Sequence, residues 1–438
     1  MEVVKTKIQR YNEYKDSGVE WLGQIPKHWK IERGKWLFLK KERPVRKEDK
    51  IITCFRDGEV TLRSNRKKSG FTIALQEHGY QGLRKGDLVI HAMDAFAGAI
   101  GVSDSNGKST PVYSVCVERF PGTINQYYYS YFLRSLALNG IILALAKGIR
   151  ERSTDFRFSD FGELSLSFPP LSEQTKIAQF LDDKTTKIDA AITLKEQQIN
   201  LLKERKQILI HKAVTRGLDE NVPLKDSGVE WIGEIPEGWE VRRLASFGRF
   251  SKGGGFSKSD LVDTGVSAIL YGDIYTKYDI SIKKEVRFIS IETAKKSIKI
   301  DKQDLLFTGS GETIEDIGKC VVFLNDKIAY AGGDVIIFKQ TENDSLFLSF
   351  TLNTEGAKFE KARFSKGEII VHTYGSKLRN IYIPIPPILE QKEISEYIED
   401  GCQKIETAIS LKQEEIAKLK EYKRSLINDV VTGKVKVS

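Results

Sequence analysis

The sequence predicts an α+β fold: two pseudo-two-fold related α/β domains joined by two long antiparallel helices that form a coiled-coil-like spacer. Two repeats carry this expectation. KDSGVEWLGQIPKHW (Lys15 to Trp29) returns 210 positions later as KDSGVEWIGEIPEGW (Lys225 to Trp239), with 11 of 15 residues identical. A longer block, Phe168 to Leu209, returns 217 positions later as Ile385 to Leu426. Between the blocks the likeness almost vanishes, as expected for one scaffold built twice with two different surfaces. The implied layout is a first domain over 1–170, a helix over 171–216, a second domain over 217–387 and a second helix over 388–438.

Each element has its own signal. The short block pairs tryptophans around a Gly-x-Ile-Pro core. In the first middle, Gly86 to Asp104 has short apolar runs split by glycine, which predicts strands with tight turns. Gln303 to Phe323 occupies the corresponding place in the second middle. At an offset of 217, Asp87-Leu88 matches Asp304-Leu305, Ile100-Gly101 matches Ile317-Gly318, and Tyr113 matches Tyr330. The second middle gains a net seven residues between Trp29 and Asp87, with Ser251 to Asp260 as a candidate for the gain.

After Phe168-Pro169-Pro170, Ser172 is expected as a helix N-cap with Glu173 in the first turn. Apolar residues then recur at 177, 181, 188, 192, 199, 202 and 209, a heptad stripe interrupted by Lys195 and Lys206. The second copy repeats it at 394, 398, 405, 409, 416, 419 and 426. Each helix would run roughly 65 Å at 1.5 Å per residue. So narrow a stripe on a charged helix needs a partner, and the simplest is the other copy. The helix-pair core is then Ile188, Ile192, Ile199, Leu202 and Leu209 against Ile405, Ile409, Ile416, Leu419 and Leu426. A helix folded back on its own domain is the other reading.

The net charge of +9 is unevenly spread. Lys30 to Phe168 holds 23 Lys/Arg against 15 Asp/Glu, and Glu240 to Ile385 holds 22 against 19. Leu218 to Trp239 holds 1 against 6. Basic middles point to a polyanionic partner, DNA or RNA. Candidate contacts in the first middle are Arg63, Arg66, Lys67 and Lys68, then Lys147, Arg150, Arg152 and Arg157, because arginine holds a guanine edge with two hydrogen bonds. In the second middle they are Lys252, Tyr271 and Lys277, then Lys361, Arg363 and Lys366. The tyrosines of YGDIYTKYD (Tyr271 to Asp279) sit at strand spacing, where packing is an equal reading.

Catalytic signals are missing. The sequence has no GxxxxGK[ST] loop. GGGF at Gly253 and GSGE at Gly309 are weak phosphate signals. There is no Asn/Asp-Pro-Pro-aromatic motif, and the five histidines, Asp94 and Glu118 form no metal or nuclease constellation. Cysteines 54, 116, 320 and 402 have neither disulfide-framework nor zinc spacing, which suits a reducing compartment. The first residues lack the apolar core of a signal peptide, and the longest apolar run is too short for a bilayer. A soluble, cytoplasmic reader is expected, with no catalytic or metal site.

SGVEWLGQIPKHW and its repeat, each followed by a variable region and then by PPLSEQTKIAQFLD or PPILEQKEISEYIED opening a long helix, closely resemble specificity subunits of type I restriction–modification enzymes. DLLFTGSGETIEDIGK and AYAGGD look like segments of one class of their target-recognition domains. The resemblance implies a non-catalytic subunit of a multisubunit methyltransferase and endonuclease complex. Each variable domain would read one half of a bipartite, asymmetric double-stranded DNA target, and the helices would set the unread spacer. Partners would be two methyltransferase subunits and ATP-driven restriction subunits, with S-adenosylmethionine, ATP and Mg on those partners and no cofactor on this chain. A self-contained nuclease or methyltransferase, and a two-headed protein scaffold without DNA readout, remain as alternatives.

Overall fold

Repeated blocks fold into repeated elements. A computed structural model describes residues 9–66, 78–145, 155–284, 286–311, 317–363 and 371–437. The chain forms two compact units, Met1–Lys195 with Glu414–Ser438, and Glu196–Gln413. Among the described residues no helix is long and apolar enough to cross a membrane. All four cysteines are free and buried.

In the first unit, β1 (Lys30–Arg33), β2 (Phe38–Lys40), β3 (Leu88–His91), β4 (Ile100–Val102) and β5 (Tyr113–Glu118) precede helix α1 (Gln126–Leu138). A short helix α2 (Phe158–Glu163), β6 (Ser165–Phe168) and the long α3 (Leu171–Arg216) follow. An antiparallel sheet runs β2-β5-β3-β4, and β6 pairs antiparallel with β1. The apolar run of β3 is buried on both faces, which is why it shows no polar alternation. Leu88 and Ile90 join a core with Tyr128, Phe132 and Leu133 of α1, while Val89 joins a separate core with Ile52, Val60 and Leu83. Asn125 caps α1 by accepting from the Tyr127 and Tyr128 amides.

The second unit repeats this frame as β7 (Glu240–Arg243), β8 (Gly248–Lys252), β9 (Leu305–Thr308), β10 (Cys320–Phe323) and β11 (Val335–Gln340). Then come α4 (Ser345–Leu352), α5 (Gly375–Leu378), β12 (Tyr382–Ile385) and α6 (Ile388–Val431). Its sheet runs β8-β11-β9-β10 and adds Ser281–Ile282 at the edge. Leu305 and Phe307 again face one core, and Leu306 faces another.

Strand register corrects the expected alignment. Lys40 pairs with Cys116, as Phe250 pairs with Phe338, so the offset is 210 at β2/β8 and 222 at β5/β11. Leu88 pairs with Val102, as Leu305 pairs with Val322, an offset of 220 at β4/β10. Ile100-Gly101 therefore corresponds to Cys320-Val321 rather than Ile317-Gly318, and Tyr113 to Val335 rather than Tyr330. Tyr330 lies instead in a five-stranded sheet built from Leu261–Val262, Phe288–Ile289, Val266–Ile269, Ala329–Ala331 and Ile298–Ile300. Sheet pairing, invisible to a fixed offset, decides which residues are equivalent.

The two repeated blocks meet each other, once in each unit. The Trp29 indole N–H donates to Glu173 Oε2 at 3.0 Å, and Trp239 donates to Glu390 Oε2 at 3.0 Å. Buried Gln174 and Gln391 each donate to the carbonyl five residues back, at Pro169 and Pro386, both at 2.8 Å. The same side chains accept from the Asn125 and Asp344 amides, each at 2.8 Å. The ends of the long helices reach the same tryptophans. Gly217 (φ +74) lies against Trp239, and Gly433 (φ +77) lies against Trp29 and Pro26, where a Cβ would overlap the proline ring. Gln9 bridges Lys436 in the first unit.

Long helices of 46 and 44 residues replace the Ser172 cap with an earlier start: Leu171 follows Pro170 directly, and Ser172 lies inside the first turn. Within each unit, half of α3 packs antiparallel on half of α6. Ile188, Ile192, Ile199, Ile405 and Ile416 are buried, and Leu202, Leu209, Ile409, Leu419 and Leu426 are half-buried. The lysines that interrupt the stripe turn inward to carboxylates of the facing helix. Lys195 meets Glu415 at 2.5 Å and Lys206 meets Glu406 at 2.7 Å. Lys423 meets Asp189 at 2.6 Å in the position equivalent to Lys206. Burial works against the Lys206 charge, but Glu406 and Asp279 outweigh it and raise its pKa.

Candidate nucleic-acid interface

Both units carry a cleft at the same place on the frame. In the first, the Phe156 amide donates to Ala92 O at 3.1 Å, and the Ala92 amide donates to Val112 O at 3.2 Å. In the second, the Thr373 amide donates to Gly309 O at 3.0 Å, and the Gly309 amide donates to Asp334 O at 2.8 Å. These bonds fix the turn after β3 or β9 between the turn leading into β5 or β11 and the chain entering α2 or α5. The openings measure about 750 and 810 Å³. Lys40, Met93, Ser114, Asp155, Arg157 and Ser159 line the first; Arg249, Lys252, Asp334, Tyr374, Ser376 and Arg379 line the second.

Arg157 and Tyr374 hold the same station, each the residue before the short helix α2 or α5. Arg157 is exposed and bonded to Asp155 at 2.6 Å. Its amide donates to Asp160 Oδ2 at 3.0 Å, which fixes the backbone. Tyr374 is 60% exposed. Lys40 bonds Glu42 at 2.7 Å, and Lys252 lies 3.7 Å from Asp334. Exposed pairs of this kind contribute only about 0–1 kcal/mol, so an arriving phosphate competes on equal terms. Among the described residues no carboxylate pairs with Arg249 or Arg379. The arrangement offers exposed cations around a concave, partly aromatic floor, with Phe250 packed on Phe338 beneath. Among the described residues no group of ligands suited to a metal is present.

Of the residues singled out by sequence, Arg157 and Lys252 line the clefts. Arg63 donates to Thr53 Oγ1 at 3.1 Å, and Arg66 stacks on Phe55 while pairing with Asp57 at 2.6 Å and Glu59 at 3.0 Å. That pair of arginines is held by its own unit. Tyr271 and Lys277 are exposed, on and just after a short helix, Tyr271–Thr276, where strand spacing was expected. Tyr275 donates inward, its hydroxyl 3.0 Å from Ser310 O. Arg363 is exposed and paired with Glu360 at 2.9 Å. Lys67, Lys68, Lys147, Arg150, Arg152 and Lys366 lie outside the described residues.

Lys361 is a correction. Its side chain is 1% exposed, and Nζ donates to Gly318 O and Leu352 O, both at 2.7 Å. It is an internal brace of helix Glu355–Arg363, unable to reach a solvent-borne polyanion. Burial is the main cause that lowers its pKa to about 8. Sequence reasoning missed Arg249, Tyr374 and Arg379. Tyr374 was within reach, since it lies 217 positions after Arg157; Arg249 and Arg379 carry no local signal and are gathered only by the fold.

The family model for the type I restriction modification DNA specificity domain matches residues 66–204 and 236–421. The type I restriction enzyme MjaVIII specificity subunit of Methanocaldococcus jannaschii is 27% identical over 288 residues, 63% of this chain and 63% of that one. Among solved structures, a chain from work on complex assembly and conformational transition of the type I R-M system has a TM-score of 0.70 at 14% identity, covering 93% of this chain and 98% of that chain. The HsdS subunit from Thermoanaerobacter tengcongensis has a TM-score of 0.55 at 14% identity, covering 94% and 98%. At these identities the solved structures establish the fold alone. With two matched segments that take in most of both middles and both long helices, the chain belongs to the type I restriction modification DNA specificity domain family and is a specificity subunit.

Proposed function

We propose that each unit reads one half of a bipartite, asymmetric double-stranded DNA target through its cleft, and that the chain itself catalyses nothing. The observation that carries this reading is the recurrence of one cleft on one hydrogen-bonded frame, lined in the two units by different side chains. A shared frame with unlike linings suits two unlike half-sites; phosphate contacts from Lys40, Arg249, Lys252 and Arg379 would position the duplex, and base contacts would specify it.

The long helices α3 and α6 set the unread spacer and dock two methyltransferase subunits, with restriction subunits joining the assembly. Support for docking comes from the second unit's part of α3, where Leu201 and Ile208 stand exposed at heptad spacing, apart from the buried stripe. S-adenosylmethionine, ATP and Mg belong to those partners, and the complex works in the cytoplasm. Binding measured against salt tests the reading: log Kd should change linearly with log salt, with a slope set by the phosphates neutralised. A two-headed scaffold without DNA readout would give no steep slope. Inserting four residues, about one helical turn, beside Lys195 should change the spacer while both half-sites stay the same.

A further inference from the structure

The two clefts share a frame and differ at the residue before the short helix. We infer that this station, Arg157 in the first unit and Tyr374 in the second, is a base-reading position, and that Arg157 reads a guanine of the first half-site. The inference deepens the function proposed above and rests on it.

Three observations lead here. The backbone of the station is held the same way in both units, one residue after the amide that bonds Ala92 O or Gly309 O at 3.1 or 3.0 Å. A side chain that reads a base has to leave a fixed point, because a displacement of an ångström spoils a two-bond contact. The side chain is exposed and lines a cleft that also holds Lys40 in the first unit and Arg249, Lys252 and Arg379 in the second. Finally, the residue type changes completely while the frame does not. A phosphate contact asks only for a donor and looks the same at every sequence, so nothing in it calls for a change between the units; a duplicated base reader has to differ when the half-sites differ. Arginine has the planar fork that matches O6 and N7 of guanine in the major groove. Asp155 accepts from Arg157 Nε at 2.6 Å, an exposed contact that only weakly biases the guanidinium in the free protein.

The test selects binding sites from a random duplex library with the full chain assembled with its methyltransferase subunits, comparing wild type, Arg157→Gln and Tyr374→Arg. Arg157→Gln should relax or replace one guanine of the first half-site, with discrimination there falling roughly 5- to 150-fold, and leave the second half-site intact. Tyr374→Arg should create a guanine preference in the second half-site only. An unchanged pair of half-sites in both variants overturns the inference. So does a uniform loss of affinity in Arg157→Gln across all sequences with the salt slope reduced by about 1, which marks a phosphate contact. If wild type itself selects no sequence, the proposed function fails instead, and the two failures are separate.

Discussion

Replacing Lys361 by methionine should remove a pH dependence from the second unit. The lysine is buried, and burial lowers its pKa to about 8 from an ordinary 10.5. Keeping it charged at neutral pH therefore costs the folded state about 3 kcal/mol, from 1.36 kcal/mol for each unit of displacement. Below pH 8 both folded and unfolded chains hold the proton and stability is flat. Between pH 8 and 10.5 the unfolded chain holds a proton that the folded chain has released, so stability rises with pH, by about 1 kcal/mol at pH 9. Neutral lysine keeps two N–H groups for Gly318 O and Leu352 O, so the brace survives the titration. Cys320, pushed up by burial to about 12, acts in the opposite sense above pH 9, which sets the upper limit of the window. Lys361→Met removes the charge but strands both carbonyls, at about 1–3 kcal/mol each, so near pH 7 its net effect is small or destabilising. Urea unfolding of wild type and variant at pH 7 and pH 9 gives the comparison. Wild type should gain about 1 kcal/mol over the variant across that interval. Parallel pH dependences in the two proteins would refute a charged, buried Lys361.

The two tryptophan junctions should differ in acid. At Glu173 burial acts to raise the pKa, but hydrogen bonds from Trp29, His28 and Tyr11 outweigh it and hold the carboxyl low, so its stabilisation is lost as pH falls through that low value. Burial raises Glu390 instead, so its stabilisation is present in acid and lost as pH rises through the elevated value. Hydrogen exchange of residues 171–180 and 388–397, referenced to the unfolded chain at each pH, should shift in opposite directions between pH 6.5 and 4. Trp239→Phe should cost about 1–2 kcal/mol, and Trp29→Phe less, because His28 at 2.6 Å and Tyr11 at 3.0 Å still serve Glu173; equal losses in denaturant unfolding would contradict this. Gly433→Ala should destabilise the first unit by more than about 1 kcal/mol, through its positive φ and its overlap with Pro26, and a neutral melting temperature would count against the junction.

Most of the scaffold was legible in the sequence. Both repeated blocks contact each other through residues they share, Trp29 with Glu173 and Trp239 with Glu390, so their persistence has a physical cause. The heptad stripe located the helix pair because period 3.5 leaves few alternatives. Interrupting lysines were visible too, although their carboxylate partners lie over 200 residues away and only packing reveals them. The site was legible in part. Arg157, which lines the candidate cleft, was singled out by residue type, but its equivalence to Tyr374 rests on backbone bonds to Ala92 and Gly309. Lys361 looked like a surface base because a charged residue at a helix end is ordinarily solvated; two nearby carbonyls overturn that default. Tyr330 and Ile317 slipped from alignment because sheet register follows pairing, not chain offset.

The second unit is continuous in the chain, whereas the first is closed by residues from its far end. Ile427, Val430 and Val431 enter the first unit's core, and the Tyr128 hydroxyl donates to Val431 O at 3.0 Å across 303 residues. Each such side chain contributes about 1.5–3 kcal/mol when buried, so together they rival the whole stability of an ordinary domain. On a ribosome, the unit translated first is thus the one completed last. Its nascent core stays open while the second unit is made and closed, and chaperones have that interval in which to hold it. A chain stopped after residue 413 would release a finished second unit tethered to an unfinished first.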